Sequence, residues 1–240
     1  MEKLFIVIPV YNEEANIKSV IEDWYPVIEK HNGNGASRLV LIDDGSKDST
    51  YSIIQECAKK YPLIKAITKQ NEGHGATVLY GYNYAIQSGA DYIFQTDSDG
   101  QTLPSEFEQF WDCRKDYEMV IGHRSKREDG TSRFFVTKVL KLVIKLCFGV
   151  TVTDANTPFR LMKADVLAEN LKLVPEKFNL SNVIISVIYA KKKYRVKYFP
   201  ITFRPRQGGV NSINLKKISK IGVQAIKDFK KINKTLKEMG

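Results

Sequence analysis

The run Leu4–Val10, LFIVIPV, constrains the fold more than any other part of this chain. A continuous apolar run of that length reads as a strand buried on both faces, the habit of a parallel sheet covered by helices. The pattern recurs. Residues 38–43, 63–68, 90–96 and 118–122 are further strand candidates, with helical stretches between them. Asn12 is placed to cap the first helix, with Glu13 and Glu14 in its favourable first turn. Asp48 or Ser49 starts a second helix reaching Lys60, residues 73–88 form a third, and Pro104 opens another. Repeated β-α-β units of this size predict an α/β fold with a mostly parallel sheet and right-handed crossovers. The second half is less regular. Helices are expected at 133–148, 176–192 and 215–239, and strands at 159–163 and 195–203. With no internal repeat or linker, residues 1–240 are expected to form one domain.

Composition narrows the partners. Hydrophobic residues make up 43% of the 240, which fits a globular chain and excludes a disordered one. The formal net charge of +10 points to an acidic partner. Nucleic acid, an anionic membrane surface and a phosphorylated substrate all qualify. The three cysteines, Cys57, Cys113 and Cys147, lie far apart and suggest neither a metal site nor a disulfide framework. A reducing, cytoplasmic setting is the simpler expectation. The first apolar run is too short for a signal peptide, and no stretch of about 20 uncharged apolar residues predicts a membrane span.

In open parallel sheets, ligands sit beyond the carboxyl ends of the strands. Here those ends are polar: Pro9-Tyr11-Glu13, Asp43-Asp44 and Asp97-Ser98-Asp99-Gly100-Gln101. Two carboxylates one residue apart can reach a single ion from one turn, and Mg²⁺ or Mn²⁺ prefers such oxygen ligands together with substrate phosphates. Alone, the triplet also reads as a solvated turn. The apolar strand before it is what places it at the ligand edge. Asp43 and Asp44 can accept hydrogen bonds from a base or ribose, or can belong to a turn and helix cap. The glycines of Asn71-Glu-Gly-His-Gly-Ala permit close backbone approach to a ligand, yet match neither a dinucleotide fingerprint nor a P-loop. His74 lacks a nearby His or Cys and reads as structural or substrate-adjacent.

Taken together, VIPVYNEE (7–14), DDGSKDST (43–50), NEGHGA (71–76), DSDGQ (97–101), GHRS (122–125), TDANTPFRLMK (153–163) and FPITFRPRQGGVNSIN (199–214) resemble the family 2 glycosyltransferases of the GT-A fold. The segments keep the family's order across most of the chain. They are most similar to the subgroup that transfers sugars to polyprenyl phosphates. The resemblance implies a Rossmann-like GT-A fold with added C-terminal helices. Residues 1–122 would bind a GDP- or UDP-sugar and residues 123–240 the acceptor. It further implies that Pro9, Tyr11, Glu13 and Asp44 contact the nucleotide. Asp97 and Asp99 would bind metal and diphosphate, with Gln101 at the metal or sugar. Arg124, Arg133, Thr137 and Arg206 match positions that bind diphosphate or acceptor phosphate. Three positions depart from the pattern: Pro158 stands for a usual Gly, Ser181-Asn182 lack an acid often found there, and Tyr198 replaces a usual Glu.

The chemistry separates the acceptors. The resemblance implies an inverting displacement at the anomeric carbon. A hydroxyl acceptor needs a base, for which Asp154 is the candidate. A phosphate acceptor is mostly dianionic at neutral pH and needs arginines to position it instead. Transfer to a glycan hydroxyl is therefore the alternative, and a non-catalytic nucleotide-sugar binder is a third reading. The intact DSD with Arg124 and Arg206 argues against the third. No nucleic-acid-binding motif is present, so nucleic acid is not expected as a partner.

Lys138, Lys141 and Lys145 follow one another along the 133–148 helix among apolar residues. An in-plane membrane helix has this form, and so has a helix docked on the core. The 215–239 helix sets Ile218, Ile221, Ala225, Phe229, Ile232 and Leu236 on one side and lysines around the rest. It suits anionic lipid or a membrane-protein partner. Peripheral association with the cytoplasmic face of a membrane is the resulting expectation.

Overall fold

The computed structural model describes residues 2–124, 131–204 and 215–238. Leu4–Val10 forms β1, buried along its whole length. Leu4, Ile6, Ile8 and Val10 pack into one hydrophobic core, and Phe5 and Val7 into another on the opposite face. Neither face meets water, which is why the run has no polar alternation.

Six strands join it: β2 (Arg38–Asp43), β3 (Ile64–Thr68), β4 (Tyr92–Gln95), β5 (Met119–Arg124), β6 (Arg160–Lys163) and β7 (Val196–Ile201). The sheet order is β3-β2-β1-β4-β6-β5-β7. Only β6 runs antiparallel to its neighbours among these pairings. The expectation of a mostly parallel α/β sheet therefore holds, with one reversed strand. Because β6 is reversed, its first residue, Arg160, pairs with Gln95 near the end of β4. The loop before β6 consequently emerges at the edge where the parallel strands end.

The helices are α1 (Ile17–Lys30), α2 (Thr50–Lys60), α3 (His74–Gln87), α4 (Glu108–Asp112), α5 (Thr131–Phe148), α6 (Ala164–Leu171), α7 (Ser181–Lys191) and α8 (Leu215–Glu238). Residues of α1, α2 and α4 share the core of Leu4 and Ile6, where Trp24 packs against Phe94, Phe107 and Phe159. Residues of α3, α5, α6, α7 and α8 share the core of Phe5 and Val7. Gly81 lets α3 press on the sheet, since a side chain there would run into Val7 and Ile42.

Three local expectations change. Asn12 does not cap α1, which begins five residues later with Asn16 at its N-cap. Asn12 instead adopts a positive φ of 52°, one that Asn tolerates better than most residues. Its N–H bonds to Ser46 Oγ, and its Oδ1 accepts the Lys47 N–H. The helix expected over 176–192 starts at Ser181, because the Phe178 and Asn179 carbonyls lie tight against the first turn of α3 at Gly75. The helix opened by Pro104 is one 3₁₀ turn, Pro104–Glu106, followed by the short α4.

β1 lies between β2 and β4, where the chain reverses its direction of travel across the sheet. That reversal is a topological switch point, the usual place for a ligand in an open α/β sheet.

Candidate active site

The strand ends at the switch point form a cleft of about 440 Å³. Pro9, Tyr11 and Glu13 reach it from the end of β1, Asp44 from the end of β2, and Asp97, Ser98 and Asp99 from the turn after β4. Asn71, Gly73, His74 and Thr77 close it from the start of α3. Six residues expected at the nucleotide or metal thus share one cavity: Pro9, Tyr11, Glu13, Asp44, Asp97 and Asp99. His74, read as structural or substrate-adjacent, lines the same cavity.

The loops at the β1 and β2 ends are stitched together. The Glu13 N–H bonds to Thr50 Oγ1, and Glu14 Oε2 accepts the Ser49 N–H. Asp43 accepts from the Ser46 N–H and from Thr68 Oγ1. It faces away from ligand duty and secures its own turn. Asp44 is also anchored. Its Oδ1 takes Lys69 Nζ at 2.6 Å and the Glu72 N–H at 3.0 Å, and its Oδ2 takes the Gly73 N–H at 2.9 Å. Burial works to raise the Asp44 pKa, but the Lys69 ammonium and these N–H groups outweigh it and hold the carboxyl below its ordinary value. Asp44 therefore shapes the 69–73 loop as well as lining the cleft.

The Asp97–Asp99 turn has a cation candidate beside it. His74 Nε2 lies 3.1 Å from Asp97 Oδ1. Packing within the cleft works against a charge on His74, but Asp97, with Asp44 and Asp99 beyond, outweighs it and raises the pKa. Its side chain is 54% exposed, so solvent moderates that rise. Gln101 sits on the far side of the turn. Its N–H bonds to Asp99 Oδ1, its Nε2 donates to the Arg204 carbonyl at 2.9 Å, and its own carbonyl accepts the Arg204 N–H at 2.8 Å. Gln101 thus ties the turn to the chain leaving β7.

Among the described residues, no three carboxylate, His or Cys side chains converge as a ready metal cage. The donor set still fits Mg²⁺ or Mn²⁺. Such ions are held by one or two carboxylates and leave their remaining positions to substrate phosphates and water. Asp97 and Asp99 on one turn at an open cleft have that character.

Of the remaining expected residues, Gln101 and Asp154 are not among those that line this cleft. Asp154 lies in the loop before β6, only 9% exposed. Arg124 is the last residue of β5, and Arg133 and Thr137 belong to α5. The side chains of these three, and all of Arg206, lie outside the described residues.

A family model described as "Glycosyl transferase family 2" matches residues 5–171. The chain belongs to glycosyl transferase family 2. It is an enzyme of that family, and its fold is the GT-A fold implied by the sequence motifs. A curated relative is the UDP-N-acetylglucosamine–dolichyl-phosphate N-acetylglucosaminyltransferase of Methanococcus voltae, 27% identical over 224 residues, covering 78% of this chain and 86% of the relative. Another is the undecaprenyl-phosphate 4-deoxy-4-formamido-L-arabinose transferase of Pseudomonas savastanoi, 28% identical over 165 residues and 68% of this chain. This chain spans about half the length of that relative, 48%. Among solved structures, glucosyl-3-phosphoglycerate synthase of Mycobacterium tuberculosis superposes with a TM-score of 0.67 at 15% identity, over 96% of this chain and 80% of the other. S. aureus TarS gives 0.62 at 14% identity, over 93% and 65%. These structural likenesses concern the fold.

Sequence reading missed one residue deep in the site region. Arg160 is fully buried, although its place in TDANTPFRLMK carries no obvious signal of burial. An arginine in a strand usually reads as an exposed position.

Proposed function

We propose that this family 2 enzyme moves a sugar from a nucleotide-diphosphate sugar to a polyprenyl phosphate, with Mg²⁺ or Mn²⁺ as cofactor. The carrying observation is the carboxylate cleft at the switch point, with Asp97 and Asp99 on one turn and no third protein ligand among the described residues. A donor diphosphate would supply the missing oxygens. The Mycobacterium tuberculosis synthase, a protein of the same fold, has been crystallised with Mn²⁺ and UDP. The Methanococcus voltae and Pseudomonas savastanoi relatives are both named for polyprenyl-phosphate acceptors.

In this reading Pro9, Tyr11, Glu13 and Asp44 hold the nucleoside. Asp97 and Asp99, with Gln101 behind them, hold the metal and orient the diphosphate. A bound divalent ion supplies Lewis-acid stabilisation of the charge on the leaving diphosphate. The bond from the anomeric carbon to that diphosphate breaks as a bond to an acceptor phosphate oxygen forms. The acceptor enters as a dianion, so no proton has to be removed. Arg124, Arg133, Thr137 and Arg206 position the two phosphate groups. Asp154 is the base only if the acceptor is a glycan hydroxyl.

Peripheral membrane contact belongs to the same proposal. No described helix is long and apolar enough to cross a membrane. On α5, however, Val139, Leu142 and Leu146 are 44%, 56% and 76% exposed, interleaved with exposed Lys138, Lys141 and Lys145. Apolar and cationic side chains sharing one exposed helix face suit an anionic lipid surface.

Offering polyprenyl phosphate and free glycans to the full chain, with UDP- and GDP-sugars, tests the acceptor. Transfer to the lipid phosphate supports the proposal. Transfer only to a glycan replaces it with the hydroxyl reading, and nucleotide binding with no turnover of any donor leaves a binder.

A further inference from the structure

Arg160 carries its guanidinium into the protein interior. Its side chain is 0% exposed. Its five N–H groups are all bonded: Nε to the Thr157 carbonyl, Nη1 to the Asn182 carbonyl and Ser186 Oγ, and Nη2 to the Ala155 and Thr157 carbonyls. None of these partners is charged. Burial pulls its pKa down, and Tyr82, Tyr198, Asp154 and Asp97 act in the opposite direction. An ion without a counter-ion in contact costs several kcal/mol to bury, so packing alone is a poor reason to keep one. A methionine would fill similar space without that cost.

Its position gives a better reason. Through Ala155 and Thr157 it grips the loop that carries Asp154. Through Asn182 and Ser186 it grips the start of α7, and the single Ser186 hydroxyl proton is within reach of both the Asn182 and Ala155 carbonyls. In the sheet it pairs with Gln95, two residues before Asp97. The Gln95 side chain accepts from Tyr82 Oη. Asn182 meets Arg160 through its backbone carbonyl, and Tyr198 acts on it only through the electrostatic field.

We infer that Arg160 is a positioning residue for glycosyl transfer, setting the 154–157 loop against the Asp97–Asp99 turn and keeping a positive charge beneath the ligand edge. The inference rests on the transferase reading above and names a residue that reading does not use. Arg160 touches neither substrate. Its five-fold grip fixes the 154–157 loop against the start of α7, and its own backbone pairing with Gln95 sets that loop beside the strand that leads into the Asp97–Asp99 turn. Its charge lies in a low-dielectric interior, where the field reaches anions at that edge with little screening.

The test uses the full chain and three variants, Arg160→Met, Arg160→Lys and Ser186→Ala. Nucleotide affinity is titrated with UDP and GDP in the presence of Mn²⁺, and kcat and acceptor KM are measured by sugar transfer. Arg160→Met is expected to bind nucleotide within about twofold of wild type while kcat falls about 100-fold, the scale of a misplaced reacting group. Arg160→Lys keeps the charge without the planar fork and recovers part of that loss. Ser186→Ala stays folded and loses kcat by about threefold to tenfold, with nucleotide affinity intact. Wild-type kcat in Arg160→Met overturns the inference. So does a parallel fall of nucleotide affinity, kcat and Tm with no rescue by lysine, which marks a structural role alone. If Arg160→Met does not fold, Ser186→Ala decides, and unchanged kcat there overturns the inference. A wild-type chain that transfers sugar to neither acceptor breaks the functional reading independently, and the variants are then compared on donor hydrolysis.

Discussion

The two sides of the ligand edge are built differently. On the proposed donor side, carboxylates crowd short loops, and neighbouring groups hold them in place: Asp44 by the Lys69 ammonium and the Glu72 and Gly73 N–H groups, and Asp97 by the His74 ring. On the acceptor side, the described framework offers backbone carbonyls around a buried arginine, and an outer helix with exposed leucines and lysines. A negative cleft and a positive, apolar flank suit two different ligands. In the proposed reading, the first binds a diphosphate through a divalent cation. In the same reading, the second meets an anionic, greasy acceptor. Asp99, Asp44 and the α5 leucines each probe one side with the other as control, and Glu118 lies away from both.

The largest effect is expected at the donor turn. Asp99→Ala should lower transfer by about 10²–10³-fold, the range seen when one group stabilising developing charge is removed. Vesicle binding should be unchanged. Steady-state kinetics and co-flotation with anionic liposomes check both halves of the statement.

Asp44→Ala comes next. It leaves Lys69, 11% exposed, without its buried partner, and frees the 69–73 loop. Stability should fall by about 3 kcal/mol, typical for one half of a buried ion pair. Urea unfolding measures this, and nucleotide affinity should fall with it. If affinity falls while stability stays, Asp44 serves the ligand more than the loop.

Glu118 is a control, just before β5 and not among the residues lining the cleft. Its hydrogen bond with Arg195, assisted by Lys163 and opposed by burial, holds its pKa at about 2 instead of an ordinary 4.5. A depressed carboxyl contributes stability that is full above about pH 4.5 and fades as pH falls toward about 2. Glu118→Gln should cost ~1 kcal/mol at pH 7, since Arg195 is largely exposed and screened, and should flatten the acid limb of a stability–pH curve. Catalysis should not change.

The smallest effect on the fold is expected on α5. Leu142→Glu with Leu146→Glu should change stability by less than about 0.5 kcal/mol, because both side chains are already exposed. Binding to anionic vesicles should fall, while nucleotide affinity stays. Unaltered vesicle binding would remove α5 from the lipid-facing surface.

Much of this contrast was legible in the chain. The donor side announces itself because each carboxylate follows a buried strand directly: Asp43-Asp44 after RLVLI and Asp97-Ser98-Asp99 after YIFQT. A strand end in a parallel sheet fixes which edge a residue occupies, so local sequence placed these carboxylates at that edge. The acceptor side was harder to read. β6 runs antiparallel, and nothing in RLMK declares its direction. Arg160 lies inside because that reversal brings it beneath the ligand edge, a tertiary effect with no local signature. Asn12 misled for the opposite reason. Its capping chemistry is real, but a positive φ and the facing Ser46–Lys47 loop claimed its groups first.

The central claim is that Asp97 and Asp99 hold the donor through a divalent ion. Calorimetric titration of UDP and GDP into the wild-type chain, with Mn²⁺ and then with EDTA, tests it most directly, with Asp97→Asn alongside. One nucleotide should bind at least about tenfold more tightly with Mn²⁺ in the wild type, and the metal effect should vanish in the variant. Equal affinity with Mn²⁺ and with EDTA would contradict the account.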